Sequence, residues 1–404
     1  MKNQYFEALN TVNKNDRLEA LRKLKLLYDS GALEAPITGE NVNNHIHTTF
    51  SFSPYSPTKA VYMSWLSGLA AAGIMDHDSV GGADEFIEAG KILGMPVTIG
   101  FELRCSMKNT PFEGRRINNP DQDSVVYLAM HGIPRGSLGD AERFLAPLRE
   151  KRNIRNWKMV DKLNALIKPY GLHLDAGTDV LPLSQYSLGG SVTERHILYA
   201  LAEKLTKAEL SKYFLLGTFK SQLVESFYTD ADEELPHITE FIAIAEKLGA
   251  IPAYAYLGDI GVSVTGDKRM QKFEDDYLDE LIAYLAKIGI KAITYMPARN
   301  TESQLARIKA LSYSSGLFQI SGEDINSPTQ KFICQRIETP EFSHLIDSAW
   351  ALVGHELASG NGLTEGLFSA KSISRMPNLN DRIRHFSDLA MEVFEKRRKV
   401  DYQK

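Results

Sequence analysis

Two histidines two residues apart, in Asn43-Asn44-His45-Ile46-His47-Thr48, project from one side of the chain if the segment is extended. Both imidazoles can then grip one ion from a single strand end. Asp76-His77-Asp78, Gly100-Phe101-Glu102, His131 and Asp324 follow at places where apolar stretches stop. The chain has 10 histidines, and four of them belong to this set. Neutral imidazole with carboxylate suits zinc, manganese or iron rather than calcium or magnesium alone. The sequence has no G-x-S-x-G elbow and no P-loop. The nucleophile is therefore expected to be water, whose pKa a metal brings toward about 7.

Those groups need strands to hold them. Strand ends are expected near His47, Asp76, Glu102, His131, Leu257, Met296 and Gly322. Helices are expected over residues 15–30 (capped by Asn15), 81–93, 274–287 and 302–313, with two more at 340–357 and 379–398. Strand–helix alternation at this spacing predicts parallel strands with helical crossovers, which gather functional groups where strands end. The rhythm breaks at 135–250, which reads as a mainly helical insertion or lid. The expected organisation is an N-terminal helical extension (1–40), a first barrel part (41–134), the insertion, a second barrel part (251–330) and a C-terminal helical extension (331–404).

The HxH pair, the Asp-His-Asp triplet, the Gly-x-Glu strand end and the later Gly-Glu-Asp324 element resemble the PHP (polymerase and histidinol phosphatase) superfamily. The likeness covers roughly residues 40–330 and is nearest to its stand-alone phosphoesterase branch. It implies an α/β fold, a distorted seven-stranded β/α barrel with a helical insertion and helical extensions at both ends. It also implies one metal on His45, His47, Glu102 and Asp324, and a second sharing Glu102 with His131 and His196, the latter in Gly190-Ser191-Val192-Thr193-Glu194-Arg195-His196. The family's third position departs here. Phe52 stands where an acidic ligand is expected, Tyr256 near an expected histidine, and Asn326 in place of another. The expectation is two divalent ions, manganese, zinc or iron, with a third at His77 disfavoured. His77 is then free to act as general acid, oriented by Asp76 or Asp78.

Two ions about 3.5–4 Å apart can share a hydroxide and stabilise the attacking and leaving oxygens of a phosphoester. Arg135, Arg195, Arg104 and Arg299 are the candidate cations for the rest of a phosphate. The expected substrate is a small phosphorylated metabolite or nucleotide. Amide or ester hydrolysis and a metal-stabilised scaffold are the alternatives. A net charge of -5 gives no reason to expect a nucleic-acid or membrane surface, and Lys396-Arg397-Arg398-Lys399 reads as a solvated helix end. The two cysteines, Cys105 and Cys334, match no zinc spacing and read as reduced thiols. The start leads into a charged helix rather than an apolar signal segment, so a cytoplasmic location is expected. A homo-oligomer is compatible with the C-terminal extension.

Overall fold

The computed structural model describes residues 2–260 and 271–401, with side chains from Arg397 onward outside the described residues. The seven strands are β1 (Val42–Ile46), β2 (Ala71–His77), β3 (Val97–Ser106), β4 (Val125–His131), β5 (Ile251–Ala255), β6 (Ala292–Tyr295) and β7 (Phe318–Ser321), hydrogen-bonded in chain order. Ile325, just past β7, bridges to Ile46, and the His47 and Ile325 N–H groups donate to Ile325 O and His45 O at 3.0 and 3.1 Å. That contact brings the two ends of the sheet together as a nearly closed barrel. Gly322 permits it, because a Cβ there would lie 2.5 Å from His45 Cβ.

The α/β barrel class is as expected, but one strand direction is not. β4 runs antiparallel to both β3 and β5. A loop of 18 residues, 107–124, returns the chain from β3 to β4 without a crossover helix. The C-terminal end of β4 therefore lies at the opposite end of the barrel from those of β1 and β2. Its mouth is the end where β1, β2 and β7 finish; its floor is the end where β4 finishes. Met75, Ala129, Ile251, Ala253, Ala292, Phe318 and Ile320, from five strands, meet in one apolar cluster with Ala351, Leu352 and Phe386. Side chains from so many strands can meet only in the barrel interior.

The helices are α1 (Lys2–Ala8), α2 (Lys14–Asp29), α3 (Pro57–Leu66), α4 (Ala83–Leu93), α5 (Leu138–Ile167), α6 (Glu194–Leu205), α7 (Glu209–Gln222), α8 (Val224–Phe227), α9 (Ile238–Leu248), α10 (Leu278–Ile288), α11 (Glu302–Ser314), α12 (His344–Ser359), α13 (Ala370–Arg375) and α14 (Leu379–Asp401). Asn13, not Asn15, caps α2, its side chain accepting the Asn15 and Asp16 N–H groups. Asn15 already has its own N–H engaged in that cap. Ala351 and Leu352 of α12 and Phe386 of α14 complete the interior cluster, so the C-terminal extension seals the floor. The 135–250 stretch carries five helices, and residues of α5 to α8 build a second apolar core around Met159, Leu163, Ile197, Leu201 and Phe227. Phe52, from the loop after β1, is part of that core. No helix among the described residues is long and apolar enough to cross a membrane. Cys105 and Cys334 are both buried and unpaired with each other.

Candidate metal centre

β1 is poor in strand-forming side chains, yet all five of its residues are buried. Its asparagines are used structurally. Asn43 Oδ1 accepts the His45 N–H at 2.9 Å and its Nδ2 donates to Glu323 O at 3.0 Å, across an irregularity in the β1–β2 register. Asn44 Nδ2 donates to Thr98 Oγ1 at 3.0 Å. These bonds fix the end of β1 and present both histidines at the mouth.

Five predicted residues converge there. His47 Nε2 lies 3.3 Å from Asp324 Oδ1, His77 Nδ1 lies 3.1 Å from Glu102 Oε2, and His45 Nε2 lies 3.8 Å from the same oxygen. The trios His45–His47–Asp324 and His47–His77–Glu102 each bring one ligand atom per residue within 4.8 Å of the others. Burial opposes ionisation of Glu102, but His77, His45 and His47 outweigh it and hold its carboxyl down to about 2. Burial likewise presses on Asp324, yet the His47 hydrogen bond and the charges around it leave it well below the usual carboxylate range. Burial, reinforced by His47 and Arg152, brings His77 down to about 3. The ring is an unprotonated lone-pair donor at neutral pH. Ionised carboxylates interleaved with imidazoles, among them the unprotonated His77, are a donor set that fits a divalent cation.

His131 lies deeper. Met130 pairs with Phe101, so the reversed strand carries His131 below the level of Glu102. It is 2 % exposed, burial brings it down to about 3, and its Nε2 is buried with no hydrogen-bond partner among the described residues. An orphaned imidazole nitrogen under Glu102 also fits a cation. His196 is differently engaged: its Nδ1 accepts the Thr193 N–H at 3.0 Å as part of the α6 capping box. Its ring meets Phe52 edge-on at 5.1 Å. His196 is in neither trio.

The expected orientation of His77 by Asp76 or Asp78 does not match the geometry. Asp76 faces the opposite side of β2 and accepts from Thr48 N, Thr48 Oγ1 and Ser51 Oγ, each at 2.6 Å. Asp78, at a left-handed φ of 51°, pairs with Arg152. Glu102 is the carboxylate that touches His77. The acid role expected for His77 therefore loses both its proton and its orienting partner.

Of the four candidate arginines, Arg135 is placed elsewhere. The chain leaves β4 at the floor, and Arg135 pairs on the surface with Asp84 at 3.0 Å and Glu88 at 3.5 Å. Arg104 points inward two residues beyond Glu102, buried between Tyr228 and Glu234. Arg299 donates to Leu257 O at 2.7 Å. Arg195 donates to Asn326 Oδ1 at 2.6 Å and makes no ion pair among the described residues, while Asn326 Nδ2 donates to Asp324 Oδ1 at 2.5 Å. Asn326, in the sequence only a missing ligand, thus links a cation to a ligand carboxylate.

Several residues at the mouth carry no motif. Arg152 and Arg155 of α5 are buried against Asp78, Glu194 and Glu234, and Arg152 Nε and Arg155 Nη2 have no hydrogen-bond partner among the described residues. Tyr127 lies with its ring 6.0 Å from His77. On α7, the charge of Arg195 holds the Lys220 ammonium below its ordinary value, with Glu194, Asp121 and Asp324 acting the other way. Only the inward alternation of β4 could have picked out Tyr127, and nothing in the sequence picks out Lys220.

No family model matches the chain. Over 74 residues it is 34% identical to a 5'-3' exoribonuclease of Haemophilus influenzae, a match that spans 18% of this chain and 25% of that protein. Its structure is similar to that of a Bifidobacterium adolescentis protein assigned as a metal-dependent phosphoesterase, with a TM-score of 0.55 at 20% identity over 78% of this chain and 98% of that one. It is also similar to an amidohydrolase from Chromobacterium violaceum crystallised with sulfate and no metal, with a TM-score of 0.56 at 17% identity over 76% and 96%. At these identities the likeness establishes a shared barrel fold.

Proposed function

We propose that the protein is a metal-dependent hydrolase that cleaves a phosphoester of a small metabolite or nucleotide in the cytoplasm. The observation that carries this reading is the meeting of His45, His47, His77, Glu102 and Asp324 at one barrel mouth, beside cations not neutralised by the ligand carboxylates. Divalent ions held there supply Lewis acidity and a nucleophile at neutral pH. His45, His47 and Asp324 hold one ion. His77 and Glu102 hold a second, with His131 beneath them, and His77 is assigned as a ligand rather than an acid. Arg195 and Lys220 bind the non-reacting phosphate oxygens, and Asn326 keeps Arg195 aligned with Asp324. The fold shared with the proteins above supports the hydrolase class, and the name of the Bifidobacterium protein favours phosphoesters.

The test is metal content together with turnover. Protein purified without chelator is expected to carry divalent metal and to release phosphate from an aryl phosphate or a nucleotide when manganese is added. Turnover only of amide or carboxylic ester substrates would move the assignment to the alternative hydrolase class. Bound metal with no activity on any of these would leave the scaffold reading.

A further inference from the structure

Asp76 reaches the metal cluster by a route that the triplet Asp76-His77-Asp78 does not suggest. His47 Nδ1 lies 3.2 Å from Ser51 Oγ, and Ser51 Oγ lies 2.6 Å from Asp76 Oδ1. Ser51 and Thr48 are fully buried, and Asp76 and His47 are each 1 % exposed, so water does not compete for these bonds. Asp76 Oδ1 also accepts the Thr48 N–H, and Oδ2 accepts from Thr48 Oγ1, which itself accepts the Phe50 N–H at 3.2 Å. The Thr48 hydroxyl proton must therefore point to Asp76. The Ser51 hydroxyl, facing a carboxylate oxygen, does the same and leaves its lone pair for His47. An acceptor at that point fixes the neutral ring with its proton on Nδ1 and its free lone pair on Nε2. Nε2 is the atom that faces Asp324 at 3.3 Å.

We propose that Ser51 is a positioning residue that, backed by Asp76, locks the His47 tautomer and ring angle needed for metal binding. This rests on the metal-centre reading above. The same relay explains why Asp76 is buried away from His77: it serves the neighbouring strand's histidine instead. Thr48 shares the carboxylate but does not touch the ring, which makes it the natural control.

Metal-free protein is titrated with manganese or zinc alone against a chromophoric chelator, for the wild type, Ser51→Ala and Thr48→Val. Ser51→Ala is expected to weaken binding about 10–100-fold. Thr48→Val is expected to lower the melting temperature while keeping the affinity within about twofold. Nitrogen-15 spectra of histidine-labelled, metal-free protein should show His47 protonated at Nδ1 in the wild type and a loss of that preference in Ser51→Ala. Equal affinities for wild type and Ser51→Ala would overturn the proposal while leaving the metal centre intact. Equal weakening by both variants would also overturn it, because loop anchoring would then be the cause. A wild type that binds neither metal would overturn the metal-centre reading itself, and the proposal with it.

Discussion

His355 of α12 offers a quantitative test of how the C-terminal extension is tied to the barrel floor. The ring is 2 % exposed, its Nε2 donates to Gly132 O at 2.9 Å, and its Nδ1 accepts the Leu367 N–H at 2.9 Å. A second ring proton would have to sit on Nδ1, against that N–H. Burial is the main cause that brings its pKa from 6.5 down to about 4. The unfolded chain therefore binds the extra proton. The stabilisation is complete above about pH 6.5 and is lost as the pH falls toward 4. With these two values the loss at pH 5 is about 2 kcal/mol, approaching about 3 kcal/mol below pH 4. His355→Gln retains a donor for Gly132 O and does not titrate. Urea unfolding of wild type and variant, each with chelator, is compared from pH 8 to pH 5. The stability difference between them should shrink by about 2 kcal/mol over that range. The neighbouring Glu356, which accepts the Ile99 N–H at 2.7 Å and is raised by burial, has the opposite pH slope but is present in both proteins and cancels. Parallel curves would refute the reasoning, because they would mean that His355 carries its proton in the folded state or is not held in this pair of bonds.

Lys220→Ala and Arg195→Ala should each raise KM for a phosphorylated substrate about tenfold, worth about 1.4 kcal/mol, with kcat less affected. Steady-state kinetics decides, and unchanged KM removes either residue from phosphate binding. Saturating metal at about 100 times its Kd should stabilise the metal-free protein by about 2.7 kcal/mol, and His45→Ala should abolish the gain in thermal melts. Gly322→Ala should cost about 1–3 kcal/mol in urea unfolding and weaken metal binding, because its Cβ would push on the His45 Cβ and N.

The clustering of His45, His47, His77, Glu102 and Asp324 was largely legible in the sequence because imidazole and carboxylate spacing survives any detail of packing. Strand–helix alternation implied parallel strands with crossovers, the motif resemblance implied the barrel, and the seven expected strand ends matched to within a few residues, with β3 continuing past Glu102 to Ser106. Strand direction was not legible. A turn of 18 residues and a helical crossover can have similar lengths, and period-two patterning carries no sense of direction. That one ambiguity misplaced Arg135 and put His131 at the wrong height. The partners of Asp76 were hidden for a different reason. Adjacent residues on a strand face opposite ways, so Asp76 and His77 could not share a surface, and hydroxyl partners such as Ser51 leave no periodic trace. Lys220 and Arg152 depend on how the insertion folds back over the mouth, which no local pattern encodes.

The reversal of β4 also gives α5 a measuring role. The chain quits the barrel at its floor, yet Arg149 and Arg152 must reach the Asp78 carbonyl and carboxylate at the mouth. Leu138 to Arg152 is fourteen steps, about 21 Å of helix rise. The six steps from Ala71 to His77 along β2 climb about 20 Å. The helix thus works as a ruler cut to the height of the barrel, setting where the helical insertion meets the barrel mouth. Adding or deleting one turn before Arg149 would shift the lid by about 5.4 Å while nearly preserving the buried face. The height of the insertion above the mouth can in this way change in discrete steps without any change to the His and carboxylate cluster beneath it.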